Sequence, residues 1–140
     1  MSTINFSRVL LGGLVAGVIL NVGEFLLNEV LFKAQLEETV ARLHIERPGI
    51  TFNSLASALT LLLGIAIVFL YALIRTRLGP GPKTALVAGA VAWFCIYFYS
   101  GVLTSVLLGL RKDLLLIGLV WGVFEYSLAA VGGAALYREK

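Results

Sequence analysis

Two acidic residues lie inside long apolar stretches of this sequence, where a carboxyl group has few ordinary structural uses. Glu24 falls in the first stretch and Glu125 in the last, and neither has a Lys, Arg or His nearby in the sequence. Placing a charged side chain at the centre of a bilayer costs about 2.5–3.5 kcal/mol on insertion scales. Such a group therefore faces other helices or water, where it exchanges protons, binds a cation or accepts hydrogen bonds.

Other polar side chains recur at helical spacing around these two acids. Asn21, Glu24 and Asn28 follow the i, i+3, i+7 pattern of one helix face. If the first and last apolar stretches are antiparallel helices, Glu24 and Glu125 lie at nearly the same depth. We expect a polar pocket that binds a ligand or a proton, unless these groups only link helices at about 0.6 kcal/mol per hydrogen bond. The candidate site residues are Asn21, Glu24, Asn28, Tyr97, Ser100 and Glu125.

The amino-acid composition indicates the class of protein in which these polar groups lie. Of the 140 residues, 59% are hydrophobic and 14% are charged, and the mean hydropathy is +0.96. A soluble domain carries about 25% charged residues, so neither a soluble fold nor a disordered chain fits this balance. The sequence predicts an integral membrane protein in contact with the lipid bilayer.

Four apolar blocks are long enough to cross a bilayer, which needs about 20 residues per helix. Leu36, Val40 and Leu43 recur at helical spacing in the longest connection and indicate an amphipathic surface helix. We therefore predict a single all-α domain over residues 1–140, an integral membrane bundle of four transmembrane helices. The predicted spans are 6–32, 54–74, 84–110 and 114–137, with the surface helix at 34–46.

Basic residues indicate how the chain is oriented. Six Lys or Arg residues lie on the side of the two termini and five on the other side, and acidic residues count little in this comparison. The cluster of Arg75, Arg77 and Lys83 favours termini in the cytoplasm. We expect a bacterial inner-membrane protein with both termini cytoplasmic.

Small residues predict where the helices pack. The first and last spans each contain Gly-x-x-x-Gly, the spacing that lets helix backbones approach closely in a membrane. Because such faces also join separate chains, a homo-oligomer or a larger membrane complex is a possible assembly. The predicted helix-packing residues are Gly13, Gly17, Gly118 and Gly122.

Several function classes lack the residues they need. Cys95 is the single cysteine, which excludes an internal disulfide and a Cys-x-x-Cys redox pair. Glu24, Tyr97 and Glu125 are proton donors, but the sequence shows no nucleophile–base pair, metal-ligand cluster or phosphate-binding loop. We therefore predict no catalytic residues, no metal, no cofactor and no nucleic-acid partner, and we do not expect an enzyme.

Two resemblances accompany this pattern. Leu31-Phe32-Lys33 before an amphipathic connection, and the Leu108–Lys112 hinge before the last span, resemble uncharacterised bacterial four-span membrane proteins of unknown function. That resemblance implies a fold and no activity. In its first-span Glu24, the chain is also similar to the small multidrug resistance exporters, which use such a Glu for proton–cation exchange. Glu125 and the long first connection depart from the exporter pattern.

Two functions fit these features. The first is a non-catalytic binding protein or accessory subunit, which takes a small hydrophobic or cationic ligand or packs through its glycine faces. The second is an oligomeric small transporter or channel in which Glu24 and Glu125 couple substrate movement to protons. The sequence names no particular substrate or partner for either function.

Overall fold

The computed structural model describes residues 3–138, and this part of the chain is helical and contains no strand. Four helices are long and apolar enough to cross a membrane, and a short connecting helix, Lys33–Arg42, lies between the first and second. The predicted all-α bundle of four spans with an intervening short helix is confirmed. Spans one to four are Phe6–Leu31, Ile50–Leu78, Pro82–Leu108 and Lys112–Ala135.

Two spans are irregular in the half that lies away from the termini. Span one is α-helical over Phe6–Phe25 and π-helical over Leu26–Leu31. Span three is α-helical over Pro82–Ala92, π-helical over Trp93–Phe98, and α-helical again over Tyr99–Leu108. Because a π-helical turn holds an extra residue, it changes the direction of the side chains that follow, and such turns are frequent at functional sites.

Span two is longer than the predicted 54–74, with helical structure over Ile50–Leu78. The apolar block underestimates the helix because polar residues continue it at both ends. The helix ends at Gly79, whose φ of +84° is readily adopted only by glycine. Pro82 then occupies the first turn of span three, where its missing N–H costs no hydrogen bond.

Tight packing joins span one to span two near the middle of both spans. A Cβ added at Gly64 would collide with the backbone of Gly13 and Gly17, and a Cβ at Gly17 would lie 2.7 Å from Leu61 Cα. The predicted packing face of span one therefore contacts span two. The surrounding core is built largely of small or β-branched side chains, including Ala16, Ile67, Val68, Ala88 and Ala129.

The two glycines predicted to pack on span four have different surroundings. A Cβ at Gly122 would lie 2.8 Å from a Tyr97 ring carbon and 3.0 Å from the Trp93 ring, so this glycine packs against span three. A Cβ at Gly118 would meet no atom within 4 Å. Gly118 thus faces the open space of a cavity and makes no close helix contact among the described residues.

Polar contacts fasten the connecting helix across one end of the bundle. Arg42 Nη2 donates to the Leu108 carbonyl oxygen at 3.0 Å, which satisfies one of the last carbonyls of span three. Arg47, after the helix, forms salt bridges with Glu29 at 3.1 Å and with Glu37 at 3.2 Å. These contacts tie both the helix and the following loop to the ends of spans one and three.

Arg47→Ala should increase local opening of the connecting helix and the loop after it, while the stability of the four-span bundle stays nearly unchanged. The salt bridges are exposed, and exposed pairs contribute about 0.2–1 kcal/mol each. Amide hydrogen exchange should accelerate over residues 33–47 and remain unchanged in span two. Lys33→Ala, which removes a cation with no ion pair recorded in the described structure, is the control. Equal exchange in both variants would contradict the proposed fastening.

Candidate ligand-binding cavity

A cavity of about 750 Å³ lies in the half of the bundle away from the termini. Its volume is within the usual range for small-molecule sites, about 300–1,000 Å³. Spans one, three and four form its walls and the connecting helix covers its outer end, whereas span two contributes no lining residue. The polar lining residues are Glu24, Asn28, Gln35, Glu38, Thr39, Arg42, Tyr97, Ser100, Thr104, Ser105 and Arg111.

The separation of span three from span two in its second half accompanies this space. The first half of span three packs against spans two and four, whereas its second half, Tyr99–Leu108, packs mainly against span four. Span one and Tyr99–Leu108 therefore face each other across the cavity. The π-helical segments, Leu26–Leu31 and Trp93–Phe98, lie beside the cavity in these two spans.

Glu24 provides the deepest charged group of the lining. Its Oε2 accepts a hydrogen bond from Asn28 Nδ2 at 3.0 Å, and the same amide donates to the Glu24 carbonyl oxygen at 2.9 Å. The Tyr97 phenol of span three lies beside the Glu24 carboxyl. Asn28 thus orients the carboxyl while leaving the group accessible from the cavity, since Glu24 is only half-buried.

The walls around Glu24 combine hydroxyl groups with aliphatic surface. Ser100 and Thr104 lie on the same side of span three as Tyr97, one and two turns further along. Facing them, spans one and four contribute aliphatic surface, including Leu27, Leu115 and Leu119. The cavity can therefore surround an apolar molecule and still offer hydrogen bonds at particular points.

Acidic and basic side chains both lie at the outer end of the cavity, whereas the ionisable lining group at depth is a carboxyl with no cation beside it among the described residues. Among the charged lining residues, Glu24 alone lies within a membrane span, whereas Glu38, Arg42 and Arg111 lie outside the spans. Arg111 is paired with Asp113 at 2.6 Å. A carboxylate at depth without a neighbouring cation favours a cationic or hydrogen-bond-donating ligand group.

Glu125 lies close to Glu24 but is sealed from the cavity. The side chain is packed against Gly23 of span one, where an added Cβ would lie 2.6 Å from Glu125 Cδ. Only 4% of Glu125 is exposed, and neither carboxyl oxygen has a hydrogen-bond partner in the part of the chain described. The buried Trp121 Nε1, one turn earlier, lies beside the Glu125 carboxyl, but the two groups do not meet hydrogen-bond geometry. The two acids are near enough for their charges to interact.

The structure brings four of the six predicted site residues to the cavity lining: Glu24, Asn28, Tyr97 and Ser100. Glu125 lies behind that lining. Asn21 does not line the cavity, because its amide donates to the carbonyl oxygens of Gly17, at 3.0 Å, and Ser57, at 3.2 Å. It joins span one to span two instead.

Sequence reasoning missed the outer rim of the cavity. Gln35, Glu38 and Arg42 come from the connecting helix, and Arg111 comes from the link before span four. The polar face of the amphipathic helix indicated that this segment carries polar side chains on one side. Helical spacing alone does not predict whether that side faces the spans or the water. Between residues 3 and 138, no cluster of three His, Cys, Asp or Glu residues is arranged to hold a metal ion.

Comparison with protein-family models, curated proteins and solved structures found no match to this chain. The cavity and its side chains are therefore the basis on which a function is inferred.

Proposed function

We propose that this membrane protein is a non-catalytic binding protein that holds a small hydrophobic molecule carrying a cationic or hydrogen-bond-donating group. The observation that carries the proposal is Glu24, directed at a 750 Å³ cavity with mixed aliphatic and hydroxyl walls. Gly13, Gly17 and Gly122 support it indirectly, because their close contacts are made within the chain. The glycine faces therefore give little reason to propose an accessory subunit that packs through them.

The energetics favour an amphipathic ligand over a wholly apolar one. Apolar contact contributes about 25 cal/mol per Å² of surface removed from water, but an alkane gains little by moving from lipid into protein. A hydrogen bond to a charged group contributes about 1.5–3 kcal/mol. Recognition of the polar group by Glu24 thus provides the selectivity.

The proposal also includes the type of membrane and the orientation of the chain in it. It specifies a bacterial inner membrane with both termini on its cytoplasmic side, which the basic cluster of Arg75, Arg77 and Lys83 favours. In this orientation the cavity lies in the outer half of the membrane, beneath a connecting helix at the outer surface.

Glu24→Gln is expected to weaken binding of a cationic amphiphile at least tenfold, because the amide retains the shape and loses the charge. The measurement is equilibrium binding of radiolabelled dodecylammonium to the protein in lipid nanodiscs, with empty nanodiscs subtracted. Glu46→Gln, at an exposed position outside the cavity, is the matched control and should bind as the unmodified protein does. Absence of saturable binding, or equal binding by both variants, would refute the proposal.

A second candidate function is proton-coupled transport by an oligomer. It is favoured by Glu125, a sealed carboxyl that meets hydrogen-bond geometry with no donor among residues 3–138 and lies beside the accessible Glu24. The small-residue core between the cavity and the termini would have to open during transport. Flux into proteoliposomes tests this candidate: pH-dependent transport should disappear in Glu24→Gln or Glu125→Gln. Retention of the pH dependence in both variants would exclude it.

A further inference from the structure

Building on the proposed binding function, we infer that the ligand is a single-tailed amphiphile dissolved in the bilayer. It enters sideways between span one and the second half of span three, and its polar group reaches Glu24. The inference rests on two features of the cavity walls: polar contacts tie the connecting helix across the outer end, and no described helix lies across the side between span one and the second half of span three.

The connecting helix lies across the end of the cavity nearest the aqueous phase. Gln35, Glu38 and Thr39 of this helix line the cavity from the outside. Arg42 reaches across to the Leu108 carbonyl oxygen at the end of span three. The Arg47 salt bridge to Glu29 fixes the loop beyond the helix to span one. Glu38, Arg42 and Arg111 at this end are themselves exposed, so the connecting helix bridges the end of the cavity with polar contacts and does not seal it.

The side toward the lipid has no corresponding cover. Three spans line the cavity, and span two, which would close the circle, packs on another face of span one. Ser100 and Thr104 line the cavity and are also exposed, which places them at the edge of this opening. A molecule already dissolved in the bilayer can therefore reach the cavity without displacing the connecting helix.

The dimensions of the cavity select a ligand with a tail. The lining runs from Glu24 to Phe32, just past the end of span one, which corresponds to about two helical turns. A group that reaches Glu24 alone would leave the aliphatic walls at Leu27 and Leu115 uncovered. A single alkyl or isoprenoid tail covers these walls and continues through the side opening into the lipid.

A pair of probes with the same polar group separates this inference from the proposed function. Dodecylammonium and ethylammonium are titrated against the protein in nanodiscs. We expect saturable binding of dodecylammonium and at least hundredfold weaker binding of ethylammonium. Equal affinity for the two probes would overturn the inference and leave the binding function standing. No saturable binding of either probe would overturn both.

Substitutions at the side opening test the route. Thr104→Trp should slow dodecylammonium uptake at least tenfold, because the ring fills the edge of the opening. Leu107→Trp is the matched control, since this side chain is 83% exposed and does not line the cavity. Equal uptake rates in two folded variants would refute sideways uptake. If Thr104→Trp does not fold, Ser100→Phe at the same edge replaces it.

A covalent lock on the cover provides an independent test. Glu29→Cys and Arg47→Cys are joined by a short bis-maleimide in a Cys95→Ala background, which makes their fastening permanent. None of these three positions lines the cavity. Dodecylammonium uptake should keep its rate after locking, whereas a rate reduced tenfold would show that the ligand enters beneath the connecting helix.

Discussion

Gly64→Ala should destabilise the bundle by about 3 kcal/mol, near the upper end of the range for overpacking. An added methyl group at this position would collide with the backbone of Gly13 and Gly17, and backbone atoms cannot yield as a flexible side chain does. Spans one and two would have to separate, which would disturb the contacts that support Ala16 and Val68 in the core. The measurement is unfolding by SDS in mixed micelles, followed by circular dichroism.

Gly118→Ala is the matched control for this substitution. The chemical change is identical, but an added methyl group meets no atom within 4 Å. Alanine is favoured over glycine in a helix by about 0.8–1.0 kcal/mol, so this variant should be as stable as the unmodified protein or slightly more stable. If the two variants unfold alike, the close contact of Gly64 is not what holds spans one and two together.

The contrast between these glycines shows how far the sequence predicts packing. Gly13 and Gly17 are recognisable by their Gly-x-x-x-Gly spacing, and the same spacing selects Gly118 and Gly122. Gly64 stands alone in span two and matches no motif, although it makes one of the closest backbone contacts of the bundle. Spacing indicates which helix faces carry small residues. Which other helix packs on such a face depends on how the helices are arranged.

The candidate site also depends partly on spacing within one helix and partly on how the helices are arranged. Helical periodicity places Glu24 and Asn28 on one face, and the structure joins them by a hydrogen bond. Asn21 shares that periodicity but lies near span two, where the Ser57 carbonyl oxygen accepts its amide. The π-helical turns were also not predictable, because they arise from packing and have no composition of their own. They lie in the cavity-lining parts of spans one and three, where regular 3.6-residue periodicity fails.

Glu125→Met should increase stability by about 1–3 kcal/mol, which is the cost of leaving a buried polar group without hydrogen bonds. Methionine has a similar volume and a flexible side chain, so it can occupy the space against Gly23. SDS unfolding is again the measurement. Glu125→Gln should gain less, since its amide remains polar in the same enclosed position. Loss of stability in Glu125→Met would show that the carboxyl has a stabilising partner, with Trp121 Nε1 the nearest unpaired donor on the same helix face.

The functional consequence of Glu125→Met separates the two proposed functions. A carboxyl kept at a cost in stability is typical of a residue that the function requires. If the protein only binds its ligand at Glu24, the stabilised variant should still bind dodecylammonium saturably, because Glu125 does not line the cavity. If Glu125 exchanges protons with Glu24 during transport, the same variant should be more stable and should lose pH-dependent flux. A single substitution thus tests the binding protein and the transporter against each other through two independent measurements.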